Sequence, residues 1–189
     1  PAPGGFTKGG SHWTRAQIDD EIDGSPAGVV RHTDTDGHGT HVAGIAAGDG
    51  SSTDNDLPPG TFKGIAPEAD IVMVESDLSD TGISEGIQFI LQKAAAAGKR
   101  AVINLSLGSQ YGPHDGTGAL DVAVGNVAAS TPVVVAMGNE QANGVHASTT
   151  VVASGSALFT LTQTGQTLVE TDFWVPSGDF YTVSVATSA

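Results

Sequence analysis

Cysteine is absent from the 189 residues, which excludes disulfides, thiol nucleophiles and zinc–thiolate sites together. Basic side chains are scarce: seven lysines and arginines stand against 21 aspartates and glutamates, for a formal net charge of −14. So few cations cannot build the patch that nucleic-acid phosphates need, and the same shortage argues against anionic membrane surfaces. Charged residues make up only 15%, against roughly a quarter in an average domain. No apolar run approaches the roughly 18 residues that cross a bilayer. The chain starts with neither an initiator Met nor a charged-then-apolar leader, so Pro1 reads as a cut, by processing or by truncation of a longer chain.

What is plentiful is glycine, 26 residues, with nine prolines, which implies many tight turns. The length allows one domain, or one with a small appendage, burying roughly two-thirds of its surface. A short helix is expected near Thr14–Ile22, with Thr14 as its cap. A polar loop from Asp34 leads into a small-residue helix on which Val42, Ile45 and Ala46 share a face, ending at Gly48 and Gly50.

Residues 70–137 are the most regular part. Ile71-Val72-Met73-Val74 reads as a buried strand. Ile83, Ile87, Ile90, Leu91, Ala94 and Ala95 follow the helical period, with Ser84 as N-cap and Gly98 as stop. Ala101–Leu105 is a second strand; Leu120, Val124, Val127 and Ala128 mark another helix; Val133–Ala136 is a third strand. This β-α-β-α-β alternation, with continuous apolar strands, predicts an α/β fold: a parallel sheet with helices on both faces. Beyond Asn143 the pattern changes. Ala157–Gln163, Thr167–Val175 and Phe180–Val185 alternate apolar residues with Thr or Ser, which predicts a β-rich antiparallel insert over 145–189 after a main unit at 1–144.

The sharpest motif is His38-Gly39-Thr40-His41-Val42-Ala43-Gly44, a histidine at the start of a helix. A general base must be neutral near pH 7, and the positive end of a helix dipole disfavours imidazolium. The longer stretch Asp34–Gly44 resembles the histidine motif of the subtilisin-like serine proteases, the subtilases. Two more stretches match that family in order. Val102-Ile103-Asn104-Leu105-Ser106-Leu107-Gly108 is similar to its substrate-lining strand, and Val133–Glu140, reading VVVAMGNE, to the strand that ends in its oxyanion asparagine.

The resemblance spans most of residues 1–145 and implies a partial subtilisin-like fold and a serine endopeptidase acting on polypeptides. By motif position, His38 becomes the general base and Asn139 the donor to the oxyanion, a role a side-chain amide at a strand end can fill. Ser106, Leu107 and Gly108 offer backbone groups to an extended peptide. Ala136, Met137 and Gly138 wall the pocket for the side chain before the scissile bond, with Met137 where the family commonly has alanine. His41 reads as a packed helix residue.

The rest of the triad is missing. The family's Gly-Thr-Ser motif before Met-Ala does not occur, and Ser148 and Ser156 lie in Thr-rich surroundings that open no small-residue helix. Asp19, Asp20 and Asp23 end no apolar strand, and Asp34 and Asp36 read as loop-stiffening residues. The expectation is an internal piece of a subtilase whose aspartate and serine lie in flanking segments of its own chain, inactive and poorly soluble alone. Residues 1–5 and Trp13–Arg15 resemble an insert between aspartate and histidine, and 145–189 a second insert before the serine.

Two other readings compete. Asp34-Thr35-Asp36-Gly37 begins like a calcium loop but lacks the full ligand spacing, and Asp54-Asn55-Asp56 is weaker still. No cofactor is required, though a structural calcium ion has room, and no zinc-protease helix motif accompanies His38 and His41. A catalytically dead homologue serving as a binding module would explain the missing residues, but it has no reason to keep His38 and Asn139. Acidity without cysteine fits an extracellular enzyme of bacterial type.

Overall fold

The computed structural model describes residues 6–7, 9–25, 28–51, 56–162 and 170–186. Helix α1 spans Arg15–Asp23 and starts where expected. Thr14 and Gln17 form a capping box: the Gln17 amide donates to Thr14 Oγ1 at 3.4 Å, and the Thr14 amide to Gln17 Oε1 at 2.9 Å. These two bonds satisfy amides that the first turn leaves without partners. Helix α2 spans His38–Ala47. The backbone of residues 64–66 runs along its last turn: the amides of Gly64, Ile65 and Ala66 donate to the carbonyls of Gly48, Ile45 and Ala46.

Helix α3 covers Asp80–Ala96, five residues longer at its start than Ser84 as a cap would allow. The cap is Ser79, whose Oγ accepts from the Gly82 amide at 3.1 Å, while Asp77 holds Ser79 through its amide and hydroxyl at 3.1 and 2.7 Å. Ser84 falls inside the helix. Strand β1 is Ile103–Leu105, helix α4 is Ala119–Ala128, and strand β2 is Val133–Val135. The two strands are parallel, in register Ile103 with Val133 and Leu105 with Val135.

The core lies between this sheet and α3. Ile83 and Ile87 meet Ile103 and Leu105, all buried, with Leu120, Val124 and Val127 of α4 packed around them. Ile103 and Leu105 share a face because side chains alternate along a strand. Helices α3 and α4 therefore cover the same face. The expectation of helices on both faces is corrected here: Asn104 is exposed on the other side, and Val134, its register partner, is 56% exposed.

Two further expectations do not hold among the described residues. Ile71–Val74 forms no strand. Val74 lies against α3, near Gly86, but Ile71 and Met73 are more than half exposed. A strand needs a ladder partner, and the segment has not found one. After residue 144 no strand forms either, and Leu158, Phe180 and Val185 are each at least 89% exposed. Alternation predicts a half-buried sheet, and here nothing covers the apolar side. Residues 163–169, which include the end of one expected strand and the start of the next, lie outside the described residues. The chain exposes 14972 Å² in all, whereas a packed monomer of this size exposes roughly 8,000 Å².

Candidate active site

His38 is the first residue of α2, and the cap before it, Gly37 at φ 83°, has no side chain to contribute. Asp34 reaches over instead. Its Oδ1 accepts from the Gly37 amide at 2.8 Å, and its Oδ2 from the amide and the hydroxyl of Thr40, both at 2.7 Å. The carboxylate thus sits on the positive end of the helix. Chiefly the Thr40 amide, then the Thr40 hydroxyl and the Gly37 amide, lower its pKa to about 2. Asp34 is the loop-stiffening residue the sequence suggested, and a fixed support for the turn that presents His38. The signal, an aspartate three residues before a glycine and six before a threonine at a helix start, is readable in hindsight.

His38 and His41 are both exposed. The expectation that His41 packs against a neighbour is corrected: α2 is docked at its C-terminal turn through residues 64–66, and His41 lies at the other end, facing solvent.

The two parallel strands position everything else. Because Leu105 pairs with Val135, the chain leaves the sheet at Ser106 and Ala136 side by side, and the Ala136 amide still donates to the Leu105 carbonyl at 3.0 Å. The two departing segments become the walls of a groove of about 160 Å³, lined by Ser106–Gln110 on one side and Ala136–Glu140 on the other. Ser106, Leu107, Gly108, Ala136, Met137, Gly138 and Asn139 are thus brought together in one depression. Met137 is 98% exposed, so its side chain stands on the rim. His38 is not among the lining residues.

Sequence reasoning overlooked Glu140. Its Oε2 accepts from the Asn139 amide at 2.8 Å and from Gln110 Nε2 at 3.3 Å, which ties the two walls together beside the asparagine. Gly138 turns through φ 92°, and a β-carbon there would lie 2.8 Å from the same Glu140 oxygen. Glu140 closes the Val133–Glu140 stretch and Gln110 lies two residues beyond Gly108, which is the only cue the chain offered.

A larger cavity of about 250 Å³ lies between α3 and α4, lined by Phe6, Ser84, Ile87, Gln88 and Val127 among others. It carries none of the motif residues. Among the described residues no three or more His, Asp or Glu side chains converge in a way that could hold a metal ion. Asp54 and Asn55 lie outside the described residues. No helix among the described residues is long and apolar enough to cross a membrane.

The family model described as the subtilase family matches residues 12–180. Among curated proteins, subtilisin-like protease 3 of Pseudogymnoascus destructans is 37% identical over 143 residues, covering 70% of this chain and 30% of the relative. Subtilisin-like protease PopC of Myxococcus xanthus is 34% identical over 106 residues, covering 51% and 20%. A subtilisin of a Bacillus species is 40% identical over 83 residues, covering 41% and 18%. The chain therefore spans a third or less of these relatives. No solved structure matches it.

Proposed function

Since the chain belongs to the subtilase family, we propose that it supplies one half of a serine peptidase active centre: the general base His38 and the oxyanion donor Asn139. The observation that carries this reading is the groove whose two walls, one of them carrying Asn139, are the stretches that resemble family motifs. Peptidase character follows from the family; the residue roles are our assignment.

In this reading a polypeptide lies extended along Ser106, Leu107 and Gly108, pairing with their backbone. Ala136, Met137 and Gly138 bound the side chain before the scissile bond. A serine from outside these 189 residues attacks the carbonyl carbon, and His38 takes its hydroxyl proton. The carbonyl oxygen becomes an alkoxide that the Asn139 side-chain amide holds. The tetrahedral species then collapses, His38 returns the proton to the leaving amine, and water repeats the sequence on the acyl-serine. No cofactor enters this chemistry, and a calcium ion would serve only to stiffen loops.

The triad acid would likewise come from flanking segments of the same protein, since the Asp34 carboxylate is bound to Gly37 and Thr40. The chain alone is then inactive. Its exposed area and bare sheet face, with Val134 and Val102 at 56% and 71%, fit a catalytic unit over 1–144 that packs against further chain, with 145–189 as an inserted segment. Secretion accords with the acidic, cysteine-free composition.

The test uses the full-length gene product and a chromogenic peptide. His38→Ala should abolish hydrolysis, and Asn139→Ala should lower kcat by about 10²–10³ with little change in KM. The isolated 189-residue chain should show no hydrolysis sensitive to a serine-directed inhibitor. Full activity in His38→Ala would overturn the assignment.

A further inference from the structure

Both walls of the groove continue into loops, and each loop carries a histidine that the peptidase reading does not use. His114 follows the Ser106–Gln110 wall and His146 the Ala136–Glu140 wall. Their rings face each other with centroids 4.5 Å apart and planes tilted by 30°. Two groups from segments that meet nowhere in sequence are thus placed side by side beyond the end of the sheet.

The neutral tautomer of one ring follows from its hydrogen-bond partner. His114 Nε2 lies 2.9 Å from the Gln110 carbonyl oxygen. A carbonyl can only accept, so in the neutral ring Nε2 carries the hydrogen and Nδ1 keeps its lone pair. A backbone carbonyl behind one ring nitrogen is also the usual way in which a metal-binding imidazole is oriented. His146 makes no hydrogen bond or ion pair among the described residues. His114 holds φ at 55°, the left-handed region that a non-glycine residue occupies at some cost. Oδ1 of the adjacent Asp115 accepts from the Thr117 amide and hydroxyl at 2.9 and 2.6 Å.

We propose that His114 and His146 form a two-imidazole site for a divalent transition ion such as Zn²⁺, which clips together the two loops flanking the groove. Nδ1 of His114 and one nitrogen of His146 are the protein ligands, and water completes the shell. Borderline ions that favour imidazole are the class selected, because among the described residues no carboxylate joins the pair and the chain has no thiolate. Both rings bind in their neutral form, so the ion competes with protons for them. This inference does not rest on the peptidase reading, since its readouts are binding and protection.

Titration of the full-length protein with Zn²⁺ at pH 7.5, followed by calorimetry, should show a site to which both histidines contribute. His114→Asn, which tolerates the left-handed backbone, and His146→Gln should each weaken binding at least tenfold, whereas His32→Gln should not. Far-UV circular dichroism checks that each variant keeps its helices. A second measurement needs no variant: diethyl pyrocarbonate modification, mapped by mass spectrometry, should be suppressed by Zn²⁺ at His114 and His146 and at no other histidine. Unchanged affinity in both variants, loss in only one of them, or protection of fewer than both rings overturns the proposal.

Discussion

The Asp34 carboxylate accepts both the amide and the hydroxyl of Thr40, each at 2.7 Å, and so closes the start of the helix that presents His38. The folded-state pKa of about 2 lies below the ordinary value of 3.8. Stabilisation from this group is therefore complete above about pH 3.8 and is lost as the pH falls through about 2. Amide exchange at Gly37 and Thr40 should accelerate several-fold across that window relative to other helical amides. Asp34→Asn should exchange fast already at pH 5 and lack the transition. Identical pH profiles for the two proteins would remove Asp34 from its capping role.

The docking of α2 at its other end depends on Gly64. A β-carbon there would lie 2.6 Å from the Gly48 amide nitrogen, 2.7 Å from that of Ala47 and 2.8 Å from the Gly44 carbonyl oxygen. All three are backbone atoms of the helix end, so no rotamer change relieves the contact. Gly64→Ala should cost about 1–3 kcal/mol and lower the denaturation midpoint. Gly44→Ala, where a β-carbon meets nothing within 4 Å, should be neutral or gain up to about 1 kcal/mol from helix propensity. Equal effects at the two sites would contradict the packing seen here.

These two glycines also mark the limit of what could be read from the chain. The helices were legible because their cues are local: Thr14 before Gln17 is a capping box, and Ile83, Ile87, Ile90 and Leu91 keep one period. The parallel pairing of Ile103–Leu105 with Val133–Val135 was legible from continuous apolar runs. Ile71–Val74 has the same composition and yet pairs with nothing, because a strand exists only with a neighbour and the sequence does not state which neighbour is present. The alternation after residue 144 fails for the same reason. In the groove, the motif residues announced themselves, whereas Glu140 became visible only when the register brought Gln110 within its reach.

The core is small enough that single deletions should be decisive. Ile87 and Ile103 are 2% and 1% exposed and touch across α3 and β1, within a cluster of four buried residues. Ile103→Val should cost about 1 kcal/mol, and Ile87→Ala about 2–5 kcal/mol, through lost burial and the cavity left behind. Against the few kcal/mol that such a limited core provides, the second change should abolish a cooperative urea transition, while the first only shifts its midpoint. Retention of a cooperative transition in Ile87→Ala would mean that stability resides elsewhere in the chain.

Gly138 separates two physical causes at the candidate site. Its φ of 92° is a conformation that side chains rarely adopt, and an added β-carbon would also approach Glu140 Oε2 to 2.8 Å. The second obstacle is the tip of a flexible side chain and can swing away; the backbone angle cannot. A left-handed alanine costs about 1–2 kcal/mol, so Gly138→Ala in the full-length protein should lower kcat/KM by about tenfold as Asn139 is displaced. Asparagine tolerates left-handed angles better than alanine despite its size, so Gly138→Asn should lose less activity than Gly138→Ala. Pairing Gly138→Ala with Glu140→Ala removes the close approach but leaves the angle, and should restore only a minor part of the loss. Full recovery in that pair, or a larger deficit with asparagine than with alanine, would show that space rather than backbone geometry governs the wall beside Asn139.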